Sequence, residues 1–313
     1  MSNNFKVHIL GSSAAIPTST RLTSSQLVNY HNKYMLIDCA EGAQMQIRRF
    51  RLPLMKINHI FISHLHGDHY LGLPGLIFSM HLLGRKKKLH VYSPSGIQEI
   101  IEVQYRISKL EPGFDIQYHV ITKGKQLLYS DNHISIETIE MMHRLPAYGF
   151  LIKEKPSERN IRKEAIEQFD IPVSSIPAIK NGADYRTASG EIIPNEKMTL
   201  PPSPPRVYAC CSDTGYTENY ITEIANADLL YHEATFLNDK ADIAKEKTHC
   251  TALEAATIAS KANVKKLMMG HYSARYDELS LFVDEAQTLF ENTILAEEGL
   301  VVEIEQVKPD NET

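Results

Sequence analysis

The stretch FISHLHGDHY, residues 61–70, places three histidines and an aspartate at the end of an apolar run. His64 and His66 are two residues apart, so on an extended segment they point to the same side. Asp68 and His69 follow after a glycine, which permits a tight turn back toward the same point. Imidazole and carboxylate groups are ligands that zinc and similar divalent ions take in proteins. We therefore interpret this stretch as part of a metal site at the end of a strand.

Short apolar runs alternate with turn signals along the chain, a pattern that is typical of a mixed α and β fold. Helical patterns lie between several of these runs, including residues 73–84 and residues 251–263. Thr251 and Glu254 form a T-x-x-E capping box at the start of the second of these helices. The predicted strands are FKVHILG, KYMLIDC, INHIFIS, KLHVYSP, HISIETIEMM, RVYACCS, ADLLYHE and KKLMMGH.

The composition is that of an ordinary folded protein, with 43% apolar and 23% charged residues in a chain of 313. No stretch approaches the ~20 apolar residues that span a bilayer, and the N-terminus lacks the apolar segment of a secretory signal, so we expect a cytoplasmic protein and no membrane partner. Of the four cysteines, two are adjacent and the others lie far apart in sequence, and no C-x-x-C motif occurs. This arrangement indicates reduced thiols rather than disulfides or a zinc finger. A net charge of −5 leaves only local basic patches for a polyanion.

Residues 152–206 interrupt the rhythm of strands, being rich in proline and poor in apolar periodicity. We predict one domain over residues 1–313 that carries this segment as an insertion. Such long segments are usually functional loops, arms or mobile linkers, and a poorly ordered surface loop is the plainer alternative. Its acidic and basic residues nearly balance, so the run GRKKKLH, with Arg85 to Lys88, is the better candidate for contact with a phosphate backbone. A solvated surface run is the alternative there.

Further candidate ligands stand where other predicted strands stop. His143 follows ISIETIEMM, Asp213 follows RVYACCS, and His271 follows KKLMMG. Together with the four residues of the first stretch they make five histidines and two aspartates, enough for two metal ions that each keep an open position. A site of this kind suits a hydroxide and an anionic substrate. A lone histidine on an apolar strand is more often a packed residue, and we keep that interpretation for the other strand histidines.

Six motifs follow one another along the chain, namely GSSAAIPTSTR, IDCAEGAQMQI, HLHGDHYLGLPGL, YHEATF, THCTA and GHYSARY. Together they resemble the metallo-β-lactamase superfamily and, more narrowly, the ribonuclease Z family, whose members remove 3′ trailers from precursor transfer RNAs. The H-x-H-x-D-H run is specific to the superfamily, while the H-E-A-T segment, the following His249 and the final S-A-R-Y narrow the resemblance to the family. It implies an α/β (α+β) fold, a four-layer αββα sandwich with a protruding arm, and residues 152–206 occupy the place of that arm.

The resemblance also implies a site with two Zn²⁺ ions per subunit, although histidine and aspartate ligands admit Mn²⁺ and other divalent ions. The family binds precursor transfer RNA across a homodimer, which implies the same partners here. The implied ligands are His64, His66 and His143 for one ion, Asp68, His69 and His271 for the other, and Asp213 as the bridge.

Catalytic roles follow from the same resemblance. Asp68 would accept a proton, and His249 would donate one to the leaving 3′-oxygen with Glu233 orienting it. Arg275 would hold the scissile phosphate. Two plainer interpretations stay open, namely a structural hydrogen-bonded pair of His232 and Glu233, and a surface salt bridge of Arg275.

Three functions compete at this point. The first is an endoribonuclease that cuts precursor transfer RNA and leaves a 3′-hydroxyl on the transfer RNA and a 5′-phosphate on the trailer. The second is a small phosphodiester or thioester hydrolase of the same superfamily. The third is a catalytically inactive RNA-binding subunit, which the full set of ligand-type residues disfavours.

Overall fold

The structure, a computed structural model, describes residues 4–307, which form two compact units. The first unit contains residues 4–130, 135–152 and 207–305, and the second contains residues 131–134, 153–206 and 306–307. The α-helices are α1 Ala43–Arg49, α2 Gly67–Tyr70, α3 Leu73–Leu82, α4 Ile97–Ser108, α5 Lys163–Gln168, α6 Ile176–Lys180, α7 Asn195–Met198, α8 Ile221–Ile224, α9 Ala241–Lys247, α10 Ala252–Lys261 and α11 Ser280–Gln287. The strands are β1 Phe5–Gly11, β2 Ser13–Ala14, β3 Ser25–Tyr30, β4 Lys33–Ile37, β5 Ile57–Phe61, β6 Leu89–Ser93, β7 Ile116–Val120, β8 Leu127–Ser130, β9 Ile134–Met141, β10 Ala147–Glu154, β11 Asn160–Ile161, β12 Tyr185–Arg186, β13 Ile192–Ile193, β14 Thr199–Leu200, β15 Val207–Cys211, β16 Leu229–Glu233, β17 Leu267–Gly270, β18 Tyr272–Ser273, β19 Thr293–Leu295 and β20 Val301–Glu303.

Two seven-stranded sheets form the centre of the first unit. Their strand orders are β20-β1-β3-β4-β5-β6-β7 and β19-β17-β16-β15-β10-β9-β8. The sheets meet through side chains on their facing surfaces, where the rings of Phe61 and Phe150 lie 5.5 Å apart and the Gln26 amide donates to Cys210 Sγ at 3.7 Å. The middle two layers are therefore a sandwich of sheets.

Helices cover the outer face of each sheet. One apolar cluster joins the first sheet to α1, α3 and α4, with Ile47 and Leu76 fully buried. A second joins the other sheet to α8, α10 and α11, with Ala256 and Phe282 fully buried. One face of each sheet packs against the other sheet and helices cover the opposite face, which gives the four-layer αββα sandwich that the family resemblance implies.

The capping box predicted at the start of α10 is present. Thr251 Oγ1 accepts a hydrogen bond from the Glu254 amide at 3.2 Å, and the Glu254 carboxylate accepts one from the Thr251 amide at 2.9 Å. This pair satisfies two of the amides that a helix start leaves without partners. None of the helices within residues 4–307 is long and apolar enough to cross a membrane.

The second unit contains most of the proline-rich segment and has a small apolar core of its own. Ala165, Ile171, Ile179, Ile193 and Met198 are its buried apolar residues. The segment thus folds around a core although its sequence shows little apolar periodicity. Its first and last parts are tied together, because the Glu154 amide donates to the Arg206 carbonyl at 2.9 Å and the two side chains form a buried ion pair at 2.7 Å.

Candidate metal centre

The ends of several strands of the first unit bring the candidate ligands to one place. Strands β15, β16 and β17 are parallel neighbours, so their carboxyl ends lie at the same edge of the sheet. Asp213 and His271 follow the first and the last of these strands, and Glu233 ends the middle one. The histidine-rich run follows β5, and His143 follows β9.

Three imidazoles and one carboxylate form a first group of ligand atoms. His66 Nδ1 lies 2.9 Å from His64 Nε2 and 3.3 Å from His143 Nε2. Asp213 Oδ2 lies 3.5 Å from His64 Nε2 and 3.9 Å from His143 Nε2. All four atoms fall within 4.8 Å of one another, which is the spacing expected of donors around one metal ion.

A second group lies beside the first. Asp68 Oδ2 is 3.5 Å from the Nε2 atoms of both His69 and His271. The other oxygen of Asp213, Oδ1, is 3.3 Å from His69 Nε2 and 3.2 Å from His271 Nε2. Asp213 thus directs one carboxylate oxygen to each group, and the seven side chains named in the sequence lie together.

The second ring nitrogen of four of these histidines is engaged by a neighbour outside the groups. In a neutral imidazole, an Nδ1–H that donates to such a neighbour leaves Nε2 unprotonated, with its lone pair directed into the cluster. The ring orientation required of a metal ligand is therefore fixed in advance. Burial by itself lowers the pKa of His69, but the Asp213 and Asp38 carboxylates raise it well above its ordinary value, so this ring must give up a proton when it binds a metal ion. The pairs are His69 with Asp38 at 2.7 Å, His271 with Thr235 at 2.8 Å, His143 with the Thr248 carbonyl at 3.0 Å, and His64 with Ser63 at 3.1 Å.

Several buried polar atoms in this cluster fit a bound cation. Within residues 4–307, His69 Nε2, Asp213 Oδ1 and His271 Nε2 are buried without a hydrogen-bond partner. A buried polar atom without a partner is costly, whereas metal ligation would satisfy it. Burial also lowers the pKa of His64 and His143, so both imidazoles are neutral at pH 7 and able to ligate. The residues present therefore fit divalent metal ions.

The tight turn expected after His66 is present. It is helical, since Gly67 is the first residue of the short helix α2 and is absent from the described glycines with positive φ. This turn brings Asp68 toward the cluster, and the Ala15 amide from a distant loop fixes the carboxylate by donating to Asp68 Oδ2 at 2.8 Å. Burial by itself raises the pKa of Asp68, but His271 and His69 hold it well below its usual range. Asp68 is thus a weak base.

Glu233 and His249 form an ion pair next to both groups. His249 Nδ1 lies 2.7 Å from Glu233 Oε1, and the carboxylate also accepts the amides of Thr214 and Thr235 at 3.1 and 3.0 Å. Burial alone lowers the pKa of His249, but the Glu233 charge more than reverses this and raises it to about 9. His249 is therefore protonated at neutral pH, and its side chain keeps 17% of its surface exposed.

His232 has a different environment from its neighbour in the H-E-A-T segment. Its Nε2 pairs with the Tyr220 hydroxyl at 2.7 Å, and its Nδ1 donates to the Glu233 backbone carbonyl at 2.6 Å. The Glu233 carboxylate contacts His249 instead. Of the pair that the sequence left open as structural, the geometry places only His232 in a purely structural position.

An open cleft of about 550 Å³ gives access to the cluster. Arg144, Lys247 and Arg275 line it together with the candidate ligands. The Arg275 guanidinium lies over the Phe236 ring, 5.0 Å from its centroid, and Nε donates to Ser273 Oγ at 3.1 Å. Among the ion pairs of the described residues none involves Arg275, so the salt bridge considered from the sequence is not formed there.

The basic run at residues 85–88 is only partly available to a ligand. Arg85 is 3% exposed, and its guanidinium donates to the carbonyls of Ile57, Lys87 and Lys88. The Arg85 side chain therefore joins the basic run to β5 by hydrogen bonds and does not face solvent. The three lysines that follow it are exposed.

Asp38 and Thr235 are site residues to which the sequence motifs assigned no role. Asp38 follows β4 and holds His69, and Thr235 lies between His271 and the Glu233 carboxylate. A polar residue at the end of the apolar run KYMLI was the available signal for Asp38. No comparable signal existed for Thr235, because its role depends on the contact between separate strands.

Known proteins that resemble this chain cover almost all of it. It is 44% identical over 306 residues to ribonuclease Z of Phocaeicola vulgatus, covering 97% of this chain and 99% of the relative. It is 43% identical over 301 residues to ribonuclease Z of Bacteroides fragilis, covering 96% and 99%. The crystal structure of human tRNase Z, short form, matches with a TM-score of 0.70 and 26% identity over 96% of this chain and 99% of that one. The family model described as Anti-Pycsar protein Apyc1 matches residues 5–161.

Proposed function

This chain belongs to the ribonuclease Z family, and we propose that it is an endoribonuclease that removes the 3′ trailer from precursor transfer RNA. The cut leaves a 3′-hydroxyl on the transfer RNA and a 5′-phosphate on the trailer. The observation that carries this proposal is the position of the protonated His249 beside two groups of ligand atoms that share Asp213. A metal centre and a proton donor together supply two aids to phosphodiester hydrolysis, an activated water and a protonated leaving group.

We propose that the two groups hold two Zn²⁺ ions, with Asp213 as the bridging ligand and Mn²⁺ as an alternative metal. Five imidazoles and two carboxylates are a donor set that zinc accepts, and one oxygen of Asp213 faces each group. When bound, divalent ions at these groups supply an activated water nucleophile and neutralise charge that gathers on the phosphoryl oxygens. The ligands for one ion are His64, His66 and His143, and for the other Asp68, His69 and His271.

The residues around this centre divide the proton transfers between them. Asp68 is a weak base held by the Ala15 amide, so we assign it to positioning the nucleophile and receiving its proton. His249 carries a proton at neutral pH and donates it to the departing 3′-oxygen. Glu233 keeps that proton on His249 by its charge and fixes the ring through the hydrogen bond to Nδ1.

Cations of the cleft would bind the phosphate that is cut. Arg275 is exposed, and its stacking on Phe236 leaves the far edge of the guanidinium open to a phosphate oxygen. Stacking also reduces the side-chain freedom that binding would cost. We therefore assign Arg275 to holding the scissile phosphate.

Residues 152–206 would recognise the body of the transfer RNA. They fold around a core of their own, so the segment can present a defined surface. Several of its basic side chains are exposed and available to a phosphate backbone. These are Lys155, Arg162, Lys163, Arg186 and Lys197.

A homodimer is proposed from the family and from an apolar surface on α1 and α3. These helices are adjacent, since Ser79 Oγ donates to Gln44 Oε1 at 2.7 Å. Met45 is 70% exposed and Leu82 67% exposed on them, which leaves apolar side chains available for contact with a second subunit. Sedimentation equilibrium of Leu82→Glu should show a monomer where the wild type is a dimer. A matched change at another exposed residue, Ile107→Glu on α4, should leave the dimer intact; a dimer in both variants would exclude this surface.

We place the protein in the cytoplasm, where transfer RNA precursors are processed. Its four cysteines are all buried and free of disulfides, as suits a reducing compartment.

The remaining alternative is a hydrolase of small phosphodiesters or thioesters. Comparison of kcat/KM for a precursor transfer RNA, a chromogenic phosphodiester, a cyclic nucleotide and a thioester separates the two. We expect the precursor to exceed each small substrate by several orders of magnitude, because only it can use the surface beyond the metal centre. A small substrate that matched the precursor would favour the alternative.

A further inference from the structure

A second cavity of the first unit lies beside the catalytic cleft and has about 560 Å³ of space. We call it the side pocket. His143 and Arg144 line both the cleft and the side pocket, so these two residues form the partition between them. Its apolar lining includes Leu65, Pro94, Ile121, Met141, Leu145 and Pro146.

The side pocket combines a buried apolar floor with a charged rim. Ile121 is 3% exposed and Tyr148 4% exposed, whereas Lys123, Glu140 and Arg144 are exposed. Burial and then the nearby Glu140 carboxylate raise the pKa of Tyr148, so its hydroxyl remains protonated and able to donate. A pocket with apolar walls, two cations, one carboxylate and one phenol is suited to a planar heteroaromatic group that is joined to phosphate.

Resting on the proposed function, we propose that the side pocket binds the nucleoside that directly flanks the scissile phosphate. A nucleic acid strand is continuous, so a nucleoside next to the phosphate in the cleft must lie within one backbone step of His143. The partition residue Arg144 lines both cavities and is placed to contact the scissile phosphate from the side of the pocket, since its guanidinium is fixed by donation to the Glu246 carbonyl at 2.7 Å. The base would leave its stack and rest on the apolar floor, as single-stranded RNA bases do in protein pockets.

The carboxylate of Glu140 gives the side pocket a preference among bases. A carboxylate accepts hydrogen bonds and cannot donate them, so it favours the exocyclic amino groups of cytosine, adenine and guanine. Uracil has no exocyclic amino group and would be disfavoured. The flanking nucleoside is either the last one of the transfer RNA or the first one of the trailer, and both present the same chemistry.

Precursor transfer RNAs with an abasic nucleotide on one or the other side of the cut test this inference. With the wild-type protein, one of the two abasic substrates should show a KM raised roughly tenfold, because the base that would rest in the side pocket no longer contributes to binding. The side on which the penalty falls identifies the nucleoside. Ser95→Trp should fill the side pocket from its rim, raise the KM for the intact precursor by a similar factor and abolish the abasic penalty.

Ser260→Trp on α10 is the matched control, since Ser260 is also an exposed serine but lies away from the side pocket. It should retain the wild-type KM and the wild-type abasic penalty. An abasic penalty on neither side, or a penalty that persists in Ser95→Trp, would overturn the inference while leaving the nuclease assignment intact. Absence of any precursor cleavage by the wild type would refute the proposed function and this inference together.

Discussion

His249 Nδ1 lies 2.7 Å from Oε1 of the fully buried Glu233 carboxylate. The carboxylate accepts backbone and hydroxyl donors at its remaining positions, so it is held rigidly and cannot turn away from the imidazole. A buried negative charge stabilises the protonated ring and raises its pKa to about 9. The pair is therefore built to keep a proton at the entrance of the metal centre.

Replacement of His249 by alanine should slow cleavage of precursor transfer RNA by about 100-fold or more, because the 3′-oxygen would leave without a proton. Hydrolysis of a small chromogenic phosphodiester should change far less, because its phenolate leaving group departs without a proton. Rates on both substrates and the metal content of the variant check this prediction. Since His249 also lies within 4.8 Å of ligand atoms of Asp213 and His271, loss of metal from the variant would instead assign it as a ligand.

The Glu233→Gln variant should show a shifted pH profile. In the wild type His249 loses its proton only as the pH rises through about 9, so the rate should fall on that alkaline side. Without the negative charge, burial dominates and lowers the pKa of His249 below its ordinary 6.5, which moves the fall in rate into the acidic range. The variant should regain activity as the pH is lowered toward 6. If the rate fell at the same pH in the wild type and in Glu233→Gln, Glu233 would not control this proton.

The Asp38→Ala variant should bind metal more weakly, by about 10- to 100-fold, although Asp38 touches no proposed ion. Its Oδ2 accepts from His69 Nδ1, and Oδ1 accepts from the Ser63 amide at 2.7 Å. Competition against a chelator measures the affinity. Asp38→Asn keeps one acceptor oxygen and should lose less; equal affinity in all three proteins would contradict the role of Asp38.

Deletion of residues 155–200 should weaken binding of precursor transfer RNA and spare hydrolysis of a small chromogenic phosphodiester. The hydrogen bond between Glu154 and Arg206 holds the base of the segment closed, so the deletion can be joined there. A filter-binding assay measures the affinity for the RNA, and the rate of phosphodiester hydrolysis measures the activity of the metal centre. Equal losses on both substrates would show that the segment supports the fold of the active site rather than RNA recognition.

The strands that could be predicted from the sequence are those with continuous apolar runs. The run INHIFIS contains β5 and RVYACCS contains β15, each shortened by one or two residues. Strand β3 was missed because its buried side chains include Gln26, whose polarity is satisfied only across the sandwich by Tyr208 and Cys210. Strand β10 is also absent from the predicted strands, although it contains the apolar stretch AYGFLI. Its Gly149 allows a close approach to the Cys210 carbonyl, where a Cβ would come within 2.5 Å.

The candidate ligands could be predicted because each is a polar residue at the end of an apolar run. Their surroundings could not, since the contacts of Asp38 and Ala15 join segments far apart in sequence. The folded state of residues 152–206 was equally hidden, because its core contains only five buried apolar residues. The local sequence pattern therefore identifies the candidate ligand residues, whereas tertiary contacts decide which other groups orient them.

The most direct test of the central claim is to map the cut made in an end-labelled precursor transfer RNA by the metal-loaded protein and by its Asp213→Ala variant. Asp213 directs one oxygen to each ligand group, so its loss removes the link between them. The account predicts a single cut at the start of the trailer by the wild type, with a 3′-hydroxyl on the transfer RNA, and no cut by a variant that still binds the RNA. Undiminished cleavage by Asp213→Ala, or a wild-type cut elsewhere in the RNA, would contradict it.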